Sequence, residues 1–207
     1  MTQCSFIEQY PLLTPDQCNT IIDTFNNDDR REPGKVDLDT IDPKIKASTD
    51  IHADFNNPDY SQYNNQLWIP LTSIISEYVR TQPVLLDGPS FAVWKDYNIQ
   101  HYKDGEGYAE LHYEWMAYNN HFYGYRMMAW MINLNDAVCG TEFPTQGITL
   151  PAKQGVCSLW PAYWTHPHRG VCPNIGDKYI ATGWLNFIPI THDEKWQATG
   201  WELIEDT

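Results

Sequence analysis

The chain has 207 residues, of which 42% are hydrophobic and 19% charged, so it can bury a sizeable core and is not intrinsically disordered. Asp and Glu outnumber Lys and Arg by 27 to 13, which gives a formal net charge of −14 at pH 7. Because this charge repels phosphate backbones and anionic lipids, and no three basic residues follow one another, we expect neither nucleic acid nor a membrane as a partner.

The N-terminus and the cysteines predict a cytoplasmic location. Residues 1–10 lack the basic and apolar regions of a secretory signal, and no apolar stretch of the sequence is long enough to cross a bilayer. The five cysteines are odd in number and irregularly spaced, which indicates neither a disulfide framework nor a CxxC site. We therefore expect reduced thiols in a reducing compartment.

The N-terminal part predicts two helices separated by an irregular segment. Thr14 is a suitable N-cap, Pro15 suits the first helical position, and apolar residues then recur at helical spacing up to Phe25. Residues 28–66 are polar and rich in turn residues, which favours an irregular surface flap. Apolar residues at helical spacing over 67–79 predict a second helix, which ends near Pro83.

From residue 89 onward the pattern changes to short strands. Helices confined to the N-terminal side of such strands predict an α+β, mainly β fold, a sandwich or barrel with supporting N-terminal helices. We expect one domain over residues 1–207, with helical support over about 11–85 and the β core over about 89–190. The predicted strands are runs rich in aromatic and β-branched residues, over 91–102, 127–134, 147–150, 156–160 and 179–187.

The triplet His112-Tyr113-Glu114 indicates a metal site. Residues two apart on a strand project from one face, so the imidazole and the carboxylate can share a metal. A third ligand must come from elsewhere, and residues 165–170 offer both His166 and His168. Two histidines and one carboxylate on one face of an iron leave positions open for a co-substrate and oxygen. The alternative is that His112 and Glu114 are two surface residues on an ordinary strand.

The last predicted strand follows a basic residue in an unusual position, Lys178. At strand period one face carries Lys178, Ile180, Thr182 and Trp184. A buried lysine is costly unless it pairs with an anion, and a dicarboxylate ligand would supply one. The alternative is a register shifted by one residue, in which Lys178 faces solvent.

Several segments, in a fixed order along the chain, match the motifs of one enzyme family. Residues 11–18 resemble the entry to its N-terminal helix, and residues 100–108, leading into the HxE triplet, resemble its YxxG…HxD segment. Residues 131–136 with 140–143, and then 155–160, 168–171 and 177–179, are similar to its two C-terminal motifs. The sequence therefore resembles the iron(II)- and 2-oxoglutarate-dependent dioxygenases of the prolyl 4-hydroxylase-like branch, over roughly residues 11–187.

This resemblance implies a fold, a reaction and a set of site residues. The implied fold is a double-stranded β-helix, or jelly roll. The implied reaction is hydroxylation of a peptidyl-proline or amino-acid-like substrate, in a peptide, a protein or a free amino acid, with release of succinate and CO2. The implied cofactors are Fe(II), 2-oxoglutarate and O2, with ascorbate as an optional addition. The implied catalytic iron ligands are His112, Glu114 and His168, and the implied co-substrate contacts are Lys178, Tyr102, Thr182, Asn133 and Trp184.

The sequence leaves two of the ligand assignments and the choice of function open. Glu114 stands where most of the family has Asp, so it is either a ligand in a different rotamer or not a ligand. His166 competes with His168, although the ten-residue spacing to Lys178 favours His168. Competing functions are a cupin-type metal enzyme that does not use 2-oxoglutarate and a non-catalytic jelly-roll binding module. Candidate substrate contacts lie in or beside the loop 116–125 and are Trp115, Tyr118 and Arg126.

Overall fold

A computed structural model of the chain describes residues 5–36, 40–115, 125–171 and 175–188. Within these ranges the α-helices are α1 (Pro15–Asn26) and α2 (Ser61–Thr81), with short 3₁₀ helices at Pro58–Tyr60 and Pro83–Asp87. The strands are β1 (Glu8–Pro11), β2 (Glu32–Pro33), β3 (Thr49–Asp54), β4 (Phe91–Tyr102), β5 (Arg126–Asn133), β6 (Ala137–Phe143), β7 (Ile148–Ala152), β8 (Val156–Pro161), β9 (Arg169–Gly170) and β10 (Lys178–Phe187).

The strands form two antiparallel sheets that face each other as a jelly roll. The major sheet has seven strands in the order β1-β8-β5-β10-β4-β3-β2, and the minor sheet has three in the order β7-β6-β9. An isolated antiparallel bridge between His112 and His168 places the segment around His112 beside the residue that precedes β9. The predicted mainly β fold with supporting helices is therefore confirmed.

Strand alternation gives the major sheet two different buried faces. On one face, Phe25 of α1 and Leu71 of α2 belong to the same buried cluster as Ile99 of β4 and Ala181 of β10. The other face lies inside the jelly roll and joins both sheets in a second cluster. The members of this interior cluster are Tyr102, Ala129, Met131, Phe143, Leu150, Trp160 and Ile180.

The two predicted helices are both present. Thr14 caps α1 through a capping box, in which its hydroxyl accepts from the Gln17 N–H while the Gln17 side chain accepts from the Thr14 N–H. The second helix begins at Ser61 rather than Leu67 and continues through Pro70. No helix in the described part of the chain is both long and apolar enough to span a membrane.

Replacing Thr14 with alanine is expected to lower the free energy of unfolding by about 1 kcal/mol, because the Gln17 N–H in the first turn loses the hydroxyl that accepts from it. Urea unfolding followed by circular dichroism measures this change. Thr20→Ala is the matched control: Thr20 is also exposed on α1, and its hydroxyl donates to the Asp16 carbonyl at 2.8 Å. Its expected change is within about 0.5 kcal/mol, so equal losses in the two variants would contradict the capping account.

The prediction of an irregular flap over residues 28–66 was wrong, because this segment contributes β2 and β3 to the major sheet. β3 pairs with β4 along its whole length, from Thr49 opposite His101 to Asp54 opposite Asp96. Its polar residues concealed the strand pattern. Asp50 is fully buried on the interior side, where its carboxylate lies 2.6 Å from the ammonium of Lys46. The ion pair Lys46–Asp50 therefore lies in the interior, although the polar sequence of this segment predicted a solvent-exposed surface.

The five predicted strands correspond to β4, β5, β7, β8 and β10, and the bounds of β4 are those predicted. β1, β6 and β9 were missed along with β2 and β3. β6 is interrupted by a register shift between Ala137 and Thr141. Within that shift Gly140 passes so close to β7 that a Cβ would lie 2.0 Å from the Leu150 carbonyl oxygen. This irregularity breaks the alternation by which a strand is read from sequence.

Candidate metal centre

Three potential metal ligands meet inside the jelly roll. One ligand atom from each of His112, Glu114 and His168 lies within 4.8 Å of the other two, which makes them the one such group among the described residues. Residues 56 positions apart in sequence are brought together because the His112 and His168 backbones pair, with N–H···O distances of 3.0 and 2.8 Å. The chain therefore delivers two imidazoles and one carboxylate to a single point.

The backbone fixes which nitrogen each imidazole presents. Nδ1 of His112 lies 2.8 Å from the Glu110 carbonyl oxygen, and Nδ1 of His168 lies 3.1 Å from the His166 carbonyl oxygen. Because a carbonyl oxygen only accepts, Nδ1 must carry the proton in both rings. Nε2 is then the nitrogen left with a lone pair when the ring is neutral, which is the tautomer a metal requires.

Aromatic rings hold both imidazoles in place. Tyr108 stacks on His112 with ring centroids 3.8 Å apart and an interplanar angle of 8°. His168 packs between Phe143 at 5.3 Å and the edge of Trp160 at 5.0 Å.

Burial first, and then the nearby His168, lower the pKa of His112 to about 4, so this imidazole is neutral at pH 7.

Glu114 directs its two carboxylate oxygens to different partners. Oε1 lies 3.2 Å from Nε2 of His168, and Oε2 accepts a hydrogen bond of 2.8 Å from the indole N–H of Trp184. The expectation that His112 and Glu114 share a regular strand was wrong, because only His112 forms a bridge. The backbone N–H of Glu114 instead donates to the Ala162 carbonyl at 3.0 Å.

The surroundings of Glu114 favour its ionised form. Burial by itself would raise the pKa of Glu114, but the hydrogen bond with His168 and the charge of that ring oppose it. Below about pH 4 the His112 ring is protonated as well, and its charge and that of Arg126 act in the same direction, so the pKa of Glu114 lies well below its usual value. The carboxylate can therefore act as an anionic ligand at neutral pH.

The competing histidine, His166, points elsewhere. Its Nε2 lies 2.8 Å from the Ser5 carbonyl oxygen, and its Nδ1 lies 2.9 Å from the Thr165 hydroxyl. His166 is buried, and the N-terminal segment occupies the ring nitrogen that a metal would need. The geometry places His168, and not His166, beside His112 and Glu114.

Lys178 begins β10 and is buried, with 6% of its surface exposed, so the alternative in which it faces solvent does not hold. It lies directly opposite Tyr102 of β4, which is also buried. Two residues farther along the same face, Ile180 belongs to the interior cluster. Lys178 therefore places a cation at the interior end of β10, as the alternation predicted.

Two further predicted co-substrate contacts are also on the strands that line the interior. Asn133 of β5 is 1% exposed, lies opposite Ile180, and has a side-chain Oδ1 with no hydrogen-bond partner among the described residues. A buried amide oxygen without a partner is costly, and a bound ligand or water would satisfy it. Thr182 differs, because its hydroxyl already donates to the Trp130 carbonyl at 2.8 Å.

The remaining predicted site residues are one co-substrate contact and the three substrate contacts. Trp184, predicted to line the co-substrate pocket, donates its indole N–H to Glu114. Arg126, predicted to contact substrate, donates from Nη1 to the Glu114 carbonyl oxygen at 3.1 Å and covers the Trp184 ring at 3.5 Å. The Trp115 N–H donates to the Ala162 carbonyl at 3.0 Å. Tyr118 lies outside the described residues.

Sequence reasoning missed a buried polar chain beside Tyr102. The Tyr102 hydroxyl donates to Oε1 of Gln100 at 2.8 Å, and Nε2 of Gln100 donates to the Asp50 carboxylate at 3.3 Å. The same carboxylate pairs with Lys46 at 2.6 Å. Gln100 and Tyr102 are two residues apart on β4 and therefore share a face. That spacing is the sequence signal by which this row of hydrogen-bonded side chains could have been found.

No protein-family model and no curated protein sequence matches the chain. Solved structures do match, among them a viral collagen prolyl hydroxylase from Paramecium bursaria Chlorella virus-1, solved as a 2-oxoglutarate complex. It has a TM-score of 0.62 and 18% identity, over 88% of this chain and 97% of that one.

Two other prolyl hydroxylases match as well. A Pseudomonas putida prolyl-4-hydroxylase has a TM-score of 0.64 and 14% identity, over 88% of this chain and 93% of that one. A Trichoplax adhaerens prolyl hydroxylase, solved with a peptide fragment of the hypoxia inducible factor oxygen degradation domain, has a TM-score of 0.69 and 12% identity, over 88% and 84%. The chain has the fold of these prolyl hydroxylases. The jelly roll implied by the sequence resemblance is thereby confirmed.

Proposed function

We propose that the chain is an iron(II)- and 2-oxoglutarate-dependent dioxygenase of the prolyl 4-hydroxylase type. The observation that carries this proposal is the convergence of His112, Glu114 and His168 within 4.8 Å, on a fold shared with prolyl hydroxylases. A shared fold alone would not suffice, because one fold hosts many functions. The donor set supplies the chemical argument.

The three residues suit ferrous iron. Two neutral imidazole nitrogens and one carboxylate oxygen are the facial set of non-haem iron oxygenases, and they leave positions for further ligands. Both imidazoles have Nδ1 fixed by backbone carbonyls, and Glu114 is held as an anion. The extra methylene of Glu114, compared with Asp, still allows its Oε1 to lie 3.2 Å from His168. We therefore assign all three as the catalytic iron ligands.

The interior end of β10 suits the co-substrate. Lys178 is a buried cation, and a carboxylate of 2-oxoglutarate would pair with it. Tyr102 lies opposite Lys178, and Asn133 adds a buried amide, so both would line the same pocket, with Thr182 four residues beyond Lys178 on that face. When bound, iron and 2-oxoglutarate together supply the oxidising chemistry: one atom of O2 hydroxylates the substrate and the other enters succinate as CO2 leaves.

The substrate part of the proposal is a peptidyl-proline or an amino-acid-like molecule. One structural neighbour was solved with a peptide fragment, which supports a peptide. Trp115, Tyr118 and Arg126 remain proposed substrate contacts, and Arg126 also donates to the Glu114 carbonyl oxygen. The proposal includes a single domain over residues 1–207 and a cytoplasmic location, which rests on the odd number and irregular spacing of the cysteines.

The experiment that tests this function is a coupled assay on purified iron-loaded protein. Succinate is measured with 2-oxoglutarate and O2 present, across a panel of proline-containing peptides and free amino acids, with and without ascorbate. We expect succinate above background, increased by at least one member of the panel, with a hydroxylated product detected by mass spectrometry. Iron-loaded protein that forms no succinate under any of these conditions would favour a cupin-type enzyme, and folded protein that takes up no iron would favour a binding module.

A further inference from the structure

The Glu114 carboxylate has an environment of its own beyond the two histidines. The indole N–H of Trp184 donates to Oε2 at 2.8 Å, and Nη1 of Arg126 lies 3.5 Å from the same oxygen. Arg126 also donates to the Glu114 carbonyl oxygen at 3.1 Å, so both ends of the residue are held. All three side chains are largely shielded from solvent, with Arg126 and Glu114 exposed by 11% and 15%.

We infer that Trp184 and Arg126 are positioning residues that occupy Oε2 of Glu114, so that Glu114 presents only Oε1 to a metal. Oε1 is the oxygen that lies 3.2 Å from Nε2 of His168. This inference rests on the proposed function, since it concerns the same metal centre. It assigns to the pair Trp184–Arg126 a task that neither the co-substrate pocket nor the substrate site explains.

A glutamate ligand needs hydrogen-bond donors that restrain its second carboxylate oxygen more than an aspartate ligand does. Its side chain has one additional rotatable bond, so holding it in a single geometry costs more conformational entropy. An unrestrained carboxylate can also offer both oxygens to a metal, which would fill a position needed by another ligand. A donor placed on Oε2 addresses both problems, because hydrogen bonds from outer partners orient metal ligands and tune their basicity.

The strand that carries Trp184 is shaped to reach Glu114. The pairing of β10 with β4 shifts register between Gly183 and Leu185, so Trp184 sits at a β-bulge. Bulges redirect side chains and are common beside active sites. Gly183 permits the close packing of this bulge, because a Cβ there would lie 2.6 Å from the Trp130 ring.

Arg126 fixes the other side of the indole. Its guanidinium lies over the Trp184 ring at 3.5 Å from the centroid, a cation–π contact shielded from solvent. It begins β5 and pairs with Asn186 of β10, beside a second register shift between Leu185 and Asn186. Trp184 is thus held between a strand irregularity and a cation, and its N–H is directed at Glu114.

The test compares metal affinity in Trp184→Phe and in a matched control. Phenylalanine keeps an aromatic ring under Arg126 but removes the N–H donor to Oε2. Trp68→Phe removes an indole from α2, on the helix-packed face, where the ring packs against Phe55 at 5.1 Å. Affinity for Co(II) is measured by competition with a chromophoric chelator, together with the visible Co(II) spectrum, and circular dichroism reports folding.

We expect Co(II) to bind Trp184→Phe about 10- to 100-fold more weakly than wild type, the usual effect of losing an outer-shell partner. Its visible spectrum should change as well, because the carboxylate coordinates differently. Trp68→Phe should keep the affinity and spectrum of wild type. A Trp184→Phe protein that is folded and matches wild type in both readouts would overturn the inference and leave the proposed function intact.

A double-mutant cycle tests whether the effect passes through Glu114. In Glu114→Asp the shorter carboxylate is withdrawn from the indole, so adding Trp184→Phe should weaken Co(II) binding much less than it does in wild type. Equal losses in the two backgrounds would overturn the inference, since Trp184 would then act elsewhere. A folded wild-type protein that binds no Co(II) would overturn both the inference and the metal assignment.

Discussion

Replacing His168 with alanine is expected to abolish stoichiometric iron binding. His168 supplies one of the three ligand atoms that lie within 4.8 Å of one another. It is also the partner of Oε1 of Glu114, at 3.2 Å, so its removal disturbs a second ligand. The loss should exceed the roughly 10- to 100-fold effect of an outer-shell substitution. Metal analysis after anaerobic loading and desalting, and competition titration with Fe(II), measure it.

His166→Ala is the matched control for this experiment. His166 is two residues away and equally buried, but its ring nitrogens contact Ser5 and Thr165. This variant should lose stability, because the Ser5 contact is lost, yet retain its iron when folded. If His166→Ala lost iron while His168→Ala kept it, the assignment of the distal ligand would be reversed.

Replacing Lys178 with alanine is expected to abolish tight 2-oxoglutarate binding while iron binding persists. Truncating a buried cation that pairs with a ligand carboxylate costs about 2–5 kcal/mol of binding free energy. This corresponds to roughly a 30-fold loss of affinity or more. Iron should be retained, because Lys178 is not among the three residues whose ligand atoms converge. Calorimetric titration of the iron-loaded protein with 2-oxoglutarate under anaerobic conditions measures the affinity.

The control for charge is Lys153→Ala, which removes an exposed lysine from the turn between β7 and β8. Both variants make the net charge more negative by the same amount, so general electrostatic repulsion of a dicarboxylate should be similar. We expect the Lys153 variant to bind 2-oxoglutarate as wild type does. Unchanged affinity in Lys178→Ala would remove Lys178 from the co-substrate site and favour a metal enzyme that does not use 2-oxoglutarate.

The parts of the fold that sequence predicted best have short-range causes. The cap at Thr14 is a local pattern, and α1 begins at the next residue. β4 matches its predicted bounds because aromatic and β-branched residues recur from Phe91 to Tyr102 with no Gly or Pro between them. The alternation along β10 correctly placed Lys178 inside, because β10 is central in the major sheet and both of its faces are buried.

What sequence could not predict depends on partners distant in the chain. β3 looked irregular because it carries Asp50, which is buried only because β3 pairs with β4, where Gln100, 50 residues farther along, donates to its carboxylate. The hydrogen bond from Trp184 to Glu114 spans 70 residues and depends on a bulge that periodicity cannot reveal. The spacing to Lys178 favoured His168 over His166, but the bridge to His112 that brings His168 to the site exists only in the folded chain.

The most direct test of the central claim is anaerobic titration of the Fe(II)-loaded protein with 2-oxoglutarate, followed by visible absorption. A co-substrate that chelates iron through its keto acid produces a weak charge-transfer band. We predict that this band grows to saturation in the wild type, is absent in His168→Ala, and requires far more 2-oxoglutarate in Lys178→Ala. A folded wild-type protein that retains iron but shows no band at saturating 2-oxoglutarate would contradict the account.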